Sequence, residues 1–123
     1  MIFLEHITQN DSYWFYKSII SDKEIQKSII GLPLNLCLSD CKKQIRVLYD
    51  SYIIYLGARR IGFISCKNNQ IAYWLLKSYR NKGYCQIALK ILLSIYPNSK
   101  FHANPINENS KHIVYKFKLE AQR

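Results

Sequence analysis

The chain has 123 residues, of which 49% are apolar, and a formal net charge of +10. This length predicts a single domain that spans residues 1–123, and the composition excludes a globally disordered chain. No apolar run approaches the roughly 20 residues that span a bilayer, and the first residues do not have the pattern of a signal peptide. We therefore expect a cytoplasmic protein with no membrane partner.

The first half of the chain predicts one strand and two helices. Residues 2–8 have the composition of a short strand, and residues 13–20 form a helical segment that follows possible cap residues. Ser21 and Glu24 have the spacing of a capping box, in which two side chains satisfy the first N–H groups of a helix. We expect this second helix to reach Ile30 and to be followed by a loop.

The next part of the chain predicts an antiparallel meander. Residues 52–56 and 60–66 are rich in residues that favour strands, and the intervening Gly57-Ala58 indicates a tight hairpin turn. Residues 71–76 form a third strand after a turn at Asn68-Asn69. Its unbroken apolar character indicates burial on both faces, as in a central strand.

Three elements follow the meander. An apolar stripe from Ile87 to Ile95 predicts a helix, residues 101–103 a short strand, and residues 107–110 the start of a last helix that runs through Phe117. The predicted fold class is α/β, with a mixed and mainly antiparallel central sheet flanked by helices, in the order β-α-α-β-β-β-α-β-α.

The charge is distributed unevenly. Residues 1–50 hold six Lys or Arg and six Asp or Glu, whereas residues 51–123 hold twelve Lys or Arg and only Glu108 and Glu120. Such an excess attracts polyanions, so a nucleotide cofactor, a nucleic acid or a membrane surface would fit it. A solvated basic surface explains the same numbers.

The four cysteines do not predict a metal site. Cys37 and Cys41 could form half of one, but no second pair follows at the spacing of a zinc finger, and the three histidines are scattered. We expect reduced thiols that pack as small apolar side chains, and no metal cofactor.

A basic turn joins the third strand of the meander to the next helix. It reads Arg80-Asn81-Lys82-Gly83-Tyr84-Cys85. The start of a helix has unpaired N–H groups and the positive end of the helix dipole, which together favour phosphate. Gly83 allows the backbone to approach a ligand closely, and Arg80 can hold a phosphate through two hydrogen bonds. The turn predicts an anion site, and a solvated basic turn is the alternative.

The turn and its neighbours resemble the GNAT superfamily of N-acyltransferases. The pyrophosphate loop of that family has the pattern R/Q-x-x-G-x-G/A, and residues 80–85 follow it with Cys85 at the last position. Residues 55–65 resemble the central hairpin of the family, and residues 72–80 resemble the strand that enters the loop. Residues 107–117 resemble a helix that begins with N-x-x-S.

This resemblance implies that the chain binds acetyl-CoA. Backbone groups at the end of the strand would pair with the pantetheine amides, and N–H groups of the turn would hold the pyrophosphate. Two residues of the last helix match positions that contact the pantetheine or the adenosine. The residues implied in cofactor binding are Leu75, Leu76, Lys77, Arg80, Asn81, Lys82, Gly83, Tyr84, Cys85, Asn107 and Ser110.

The resemblance defines the catalytic groups less well. Many members of the family use a Glu on the strand before the loop as the general base, but this chain has no Asp or Glu between Ser51 and Asn107. His102, a water chain or an amine that arrives neutral could take that role. The available general acid is Tyr115, one position after Val114, where the family pattern places its tyrosine.

The resemblance also implies the partners and the reaction. The chain ends before the final hairpin of the family, so we expect a homodimer that completes the sheet, an open acceptor site or a loss of activity. The predicted function is transfer of an acetyl group from acetyl-CoA to a primary amine, on a protein N-terminus, an amino sugar or another small amine. The alternatives are a nucleic-acid- or ribosome-associated protein, such as a toxin that acetylates aminoacyl-tRNA, and an inactive pseudoenzyme that binds coenzyme A.

Overall fold

The computed structural model describes residues 1–67, 70–97, 102–103 and 115–116. The strands in these ranges are β1 (Ile2–His6), β2 (Ile29–Ile30), β3 (Ser51–Leu56), β4 (Arg59–Lys67), β5 (Gln70–Leu75), β6 (His102–Ala103) and β7 (Tyr115–Lys116). The helices are α1 (Ser12–Ile20), α2 (Lys23–Lys27), α3 (Leu38–Ile45) and α4 (Tyr84–Ile95).

The main sheet of the described ranges has five strands in the order β1-β3-β4-β5-β6. Strands β1, β3, β4 and β5 pair antiparallel, and β6 runs parallel to β5. The tight turn between β3 and β4 contains Gly57, whose φ of 61° is a conformation that glycine adopts without strain. β2 and β7 form a separate parallel pair. This mixed, mainly antiparallel sheet flanked by helices confirms the predicted fold class.

Helices cover both faces of the sheet. Phe15 of α1 packs against Phe63 and Trp74, which are cross-strand partners on β4 and β5, with ring centroids 5.4 and 6.0 Å away. Tyr52 of β3 pairs with Ile64, the residue that follows Phe63 on β4. Because side chains alternate along a strand, Tyr52 points to the face opposite that of Phe63. Its hydroxyl lies 2.8 Å from that of Tyr96, at the end of α4. The central strands are therefore enclosed between α1 and α4.

The second helix is shorter than the sequence predicts. α2 ends at Lys27, and residues 29 and 30 form β2 instead. Its N-cap is Asp22 rather than Ser21, and the Asp22 side chain accepts two N–H groups of the first helical turn. Two consecutive isoleucines favour an extended backbone, and β7 supplies a pairing partner. Pairing between distant segments thus overrides the helical pattern.

Two more elements differ from the prediction. Helix α3 lies where a loop was expected, and its N-cap is Cys37, whose backbone N–H donates to the Asp40 carboxylate at 3.0 Å. Cysteine is not a usual N-cap, so no clear start signal for this helix is present in the sequence. The last predicted helix is wrong at Tyr115 and Lys116, which form a strand because β2 offers them an edge for pairing. The rest of that prediction, and the Asn68-Asn69 turn, lie outside the described residues.

The buried thiols Cys41 and Cys66 pack in the core as small apolar side chains. In the part of the chain that the structure describes, no three His, Cys, Asp or Glu side chains are close enough together to hold a metal ion. Among the same residues, no helix is long and apolar enough to cross a membrane.

Candidate functional site

A cavity of about 540 Å³ lies where the end of β5, the start of α4 and helix α2 meet. Residues of β5, of the turn that leads into α4, and of α2 all contribute to its walls. The residues that line it are Glu24, Ile25, Ser28, Tyr73, Trp74, Leu75, Arg80, Asn81, Gly83, Cys85 and Gln86. The cavity therefore combines part of the predicted cofactor residues with residues from the first half of the chain.

The start of α4 opens onto this cavity. Gly83 is the N-cap, with a φ of 81°, and Asn81 also has a positive φ, of 62°. No side chain of the described residues caps the helix. The first N–H groups of the helix therefore have no side-chain acceptor there, and they lie at the positive end of the helix dipole. This geometry suits an anion.

The outer edge of β5 forms a second wall. The N–H of Leu76 donates to the Ile61 carbonyl at 2.8 Å, toward β4. Because N–H and C=O alternate between the two edges of a strand, the Leu75 carbonyl faces the other way, toward the cavity. In the described ranges β6 pairs with β5 only at Gln70 and Ile71. Strands β5 and β6 thus share a short parallel contact, beyond which no described strand pairs with the outer edge of β5.

Arg80 is held by protein groups. Its Nε donates to the Leu75 carbonyl at 2.9 Å, and its Nη2 donates to Asp22 Oδ2 at 2.7 Å. The side chain is 25% exposed and that of Asp22 is 15% exposed. The other oxygen of Asp22, Oδ1, accepts the N–H of Glu24 at 2.9 Å. One guanidinium therefore connects the turn, the end of β5 and the start of α2.

The remaining residues of the turn differ in their relation to the cavity. Asn81, Gly83 and Cys85 line it, whereas Lys82 and Tyr84 are not among the residues that do. Lys82 is exposed, and Tyr84 packs against Tyr79 with ring centroids 6.4 Å apart. Leu76 and Lys77 also lie beside the cavity rather than in its wall.

Tyr73 and Cys85 meet inside the cavity wall. Burial raises the pKa of Cys85 to about 12, and the Tyr73 hydroxyl, as a hydrogen-bond donor to the sulfur, opposes that rise. The pKa of Tyr73 is also raised to about 12, first by burial and then by the nearby thiol. Both groups are therefore neutral near pH 7, and this part of the wall carries no charge.

Glu24 is a candidate general base that the sequence did not indicate. The expected place for a base was the strand before the loop, whose neighbourhood in the sequence holds no carboxylate. Helix α2, about 50 residues earlier in the chain, brings Glu24 into the same cavity. The local sequence indicates Glu24 only as part of a capping box, and the packing of α2 beside the turn places it in the cavity.

Four predicted residues cannot be placed at the site. The backbone of His102 pairs with that of Gln70, at the start of β5 and away from the turn. The backbone of Tyr115 pairs with Ile29 on β2. The side chains of His102 and Tyr115 lie outside the described part of the structure, as do the whole of Asn107 and Ser110.

No protein-family model matches the chain, and no curated protein sequence matches it. Solved structures do. The ribosomal L7/L12 alpha-N-protein acetyltransferase RimL, in complex with coenzyme A, has a TM-score of 0.65 at 15% identity, covering 77% of this chain and 63% of RimL. An acetyltransferase from Thermus thermophilus has a TM-score of 0.67 at 14% identity, covering 90% of this chain and 81% of that protein.

A third structure, AAC(6')-Ib in complex with ribostamycin and coenzyme A, has a TM-score of 0.60 at 20% identity and covers 78% of this chain and 68% of that protein. The chain spans only 60 to 63% of the length of the RimL structures it matches. At these identities the likeness concerns the fold. The chain therefore has the fold of the GNAT acetyltransferases.

Proposed function

We propose that the chain binds acetyl-CoA in the cavity at the start of α4 and transfers its acetyl group to a primary amine. The observation that carries this proposal is the helix start at Gly83, which opens onto the cavity without a side-chain cap among the described residues. A helix start of this kind binds phosphate through backbone N–H groups. RimL and AAC(6')-Ib, which share the fold, have structures in complex with coenzyme A.

The dimensions and edges of the cavity support the same ligand. A volume of about 540 Å³ falls in the range of roughly 300 to 1,000 Å³ that is common for ligand sites. The outward-facing backbone of β5 offers the peptide groups of residue 73 and the N–H of Leu75 to an extended amide-containing chain, as a sheet edge does to a peptide, whereas the Leu75 carbonyl already accepts from Arg80. Pantetheine has two such amides. The turn would therefore hold the phosphates while the strand edge aligns the arm.

Glu24 gives the cavity a group that can accept a proton. Acetyl-CoA, when bound, supplies the acyl group as a thioester. An amine must lose a proton as its nitrogen forms the new bond to the acyl carbon, while the carbon–sulfur bond of the thioester breaks and the thiolate of coenzyme A leaves. Glu24 lines the cavity, so its carboxylate can take the proton of the amine and pass it to the departing thiolate. The same negative charge attracts a protonated amine from solvent. His102 and Tyr115 stay predictions for base and acid.

Calorimetry with acetyl-CoA tests the binding step, and thiol release with a panel of amines tests the transfer. The panel contains a peptide with a free N-terminus, an amino sugar and a small alkylamine. Glu24→Gln should leave acetyl-CoA affinity unchanged and lower the rate by about 10²- to 10⁴-fold, whereas Glu5→Gln, on β1, should change neither. Absence of heat with the wild-type protein would refute the binding proposal. Heat without thiol release across the panel would support the pseudoenzyme instead.

The homodimer, the cytoplasmic location and the binding of nucleic acid stay predictions from the sequence. Light scattering over a range of concentrations tests the dimer, and a constant monomer mass would contradict it. A filter-binding titration with RNA at several salt concentrations tests the nucleic-acid alternative, which requires a steep loss of affinity as salt rises.

A further inference from the structure

Arg80 occupies a position from which it could serve in two different ways. A direct role would place its guanidinium on a phosphate of the ligand. An indirect role would use its contacts to hold the backbone that binds the phosphate. The two roles predict opposite effects for its partner Asp22, so the structure allows them to be separated.

The contacts of Arg80 favour the indirect role. The 2.7 Å ion pair with Asp22 and the 2.9 Å hydrogen bond to the Leu75 carbonyl fix the guanidinium from two sides. Arg80 is three-quarters buried and Asp22 is more so, so solvent screens this pair less than it would a surface pair. The carboxylate offsets the positive charge that a phosphate would otherwise meet.

The backbone next to Arg80 has an unusual conformation. Asn81, the following residue, has a φ of 62°, and Gly83 has a φ of 81°. The left-handed region costs most residues about 1–2 kcal/mol, but glycine and asparagine enter it more readily, so this turn holds residue types that suit its conformation. Arg80 supplies two fixed contacts directly before these residues, which limits the conformations that the turn can adopt.

We infer that Arg80 is a positioning residue. Its contacts with Leu75 and Asp22, together called the clasp, hold the turn so that the N–H groups at the start of α4 face the phosphates of the ligand. This inference rests on the proposed function. Asp22 contacts two elements that line the cavity. Its Oδ1 accepts an N–H at the start of α2, and its Oδ2 accepts a hydrogen bond from Arg80. The turn and α2 are thus fixed to each other through a single carboxylate.

The test compares the affinity for coenzyme A in four proteins by calorimetry: the wild type, Arg80→Gln, Asp22→Asn and the double variant. Asparagine caps a helix as well as aspartate does, so Asp22→Asn removes the ion pair and keeps the start of α2. We expect Asp22→Asn to weaken the affinity by about tenfold. We expect the double variant to be no weaker than Arg80→Gln alone, because both substitutions break one clasp.

Two controls make the outcome specific. Asp40→Asn, at the start of α3, removes the same negative charge away from the cavity and should leave the affinity unchanged. Lys82→Gln removes an exposed cation of the same turn and should reduce the dependence of affinity on salt. Arg80→Gln should weaken binding without changing that dependence, since its charge is already offset by Asp22. A thermal-unfolding scan of each variant checks that it is folded at the temperature of the titration.

The outcomes separate the two proposals. If the wild-type protein gives no heat with coenzyme A, the proposed function fails, and the clasp fails with it. If the wild type binds but Asp22→Asn binds equally well or more tightly, only the positioning role is overturned. Tighter binding is the result expected when Arg80 contacts a phosphate directly, because Asp22 would then compete for it. A reduced salt dependence in Arg80→Gln would overturn the clasp as well.

Discussion

Replacing Gly83 by alanine separates the two properties of this position, its backbone conformation and its place in the cavity wall. With a φ of 81°, the added Cβ costs about 1–2 kcal/mol. For a domain of this size, a loss of 1 kcal/mol lowers Tm by about 4 °C, so we expect a decrease of about 4–8 °C. The Cβ would contact no protein atom within 4 Å, so no steric clash adds to this cost.

The second expected effect of Gly83→Ala is on the affinity for the ligand. Gly83 lines the cavity, so a methyl group there occupies space that a phosphate needs to reach the N–H groups of the helix start. We expect Gly83→Ala to weaken the affinity for coenzyme A at least tenfold. Calorimetry measures the affinity and a thermal melt measures the stability of the same samples.

Gly57 provides a matched control for this experiment. It also has a positive φ, of 61°, and an added Cβ would also meet no atom within 4 Å. It lies in the β3–β4 turn and does not line the cavity. Gly57→Ala should therefore lower Tm by a similar amount and leave the affinity unchanged. Equal affinities for the two variants would refute the assignment of the helix start as the phosphate site.

Three further substitutions test the packing that supports the site. Gly62→Ala should lower the free energy of unfolding by about 1–3 kcal/mol in a urea titration, because its Cβ would collide with the backbone and side chains of β5; an unchanged midpoint would contradict this. Tyr96→Phe removes the hydroxyl that donates to Asp50 at 2.9 Å and should cost about 1–2 kcal/mol, while exposed Tyr49→Phe should cost nothing measurable. Burial raises the pKa of Cys85 from 9.0 to about 12, so its contribution to stability is complete below pH 9 and lost as the pH rises toward 12. Cys85→Ala should make the alkaline loss of stability less steep, and identical pH profiles would refute this account.

The meander and the helix after it could be predicted because their signals are local. Gly57 marks the hairpin, the apolar run of β5 marks a central strand, and Gly83 marks the helix start. Each signal acts within a few residues of the chain. The structure shows strands and a helix at those places.

The contacts that complete the site could not be predicted because they join distant segments. Arg80 and Asp22 are 58 residues apart, and a charge in a sequence does not indicate its partner. Glu24 reaches the cavity only because α2 packs beside the turn. Helix α3 could not be predicted for a different reason, because its N-cap is Cys37, a residue type that is seldom found at that position.

The ion pair of Arg80 with Asp22 changes how the excess of positive charge in the second half of the chain is interpreted. The charge of this arginine is offset by Asp22, so in the proposed coenzyme A site the attraction for phosphate comes mainly from uncharged N–H groups of the helix start. Ligand binding through such groups loses little affinity when salt rises. Binding of a nucleic acid through scattered basic residues away from the turn, such as the exposed Arg59 and Lys90, loses much more, because each phosphate contact releases counterions. A shallow salt dependence for coenzyme A together with a steep one for RNA would show that the two polyanions use different surfaces, and equal steep slopes would argue against the backbone site.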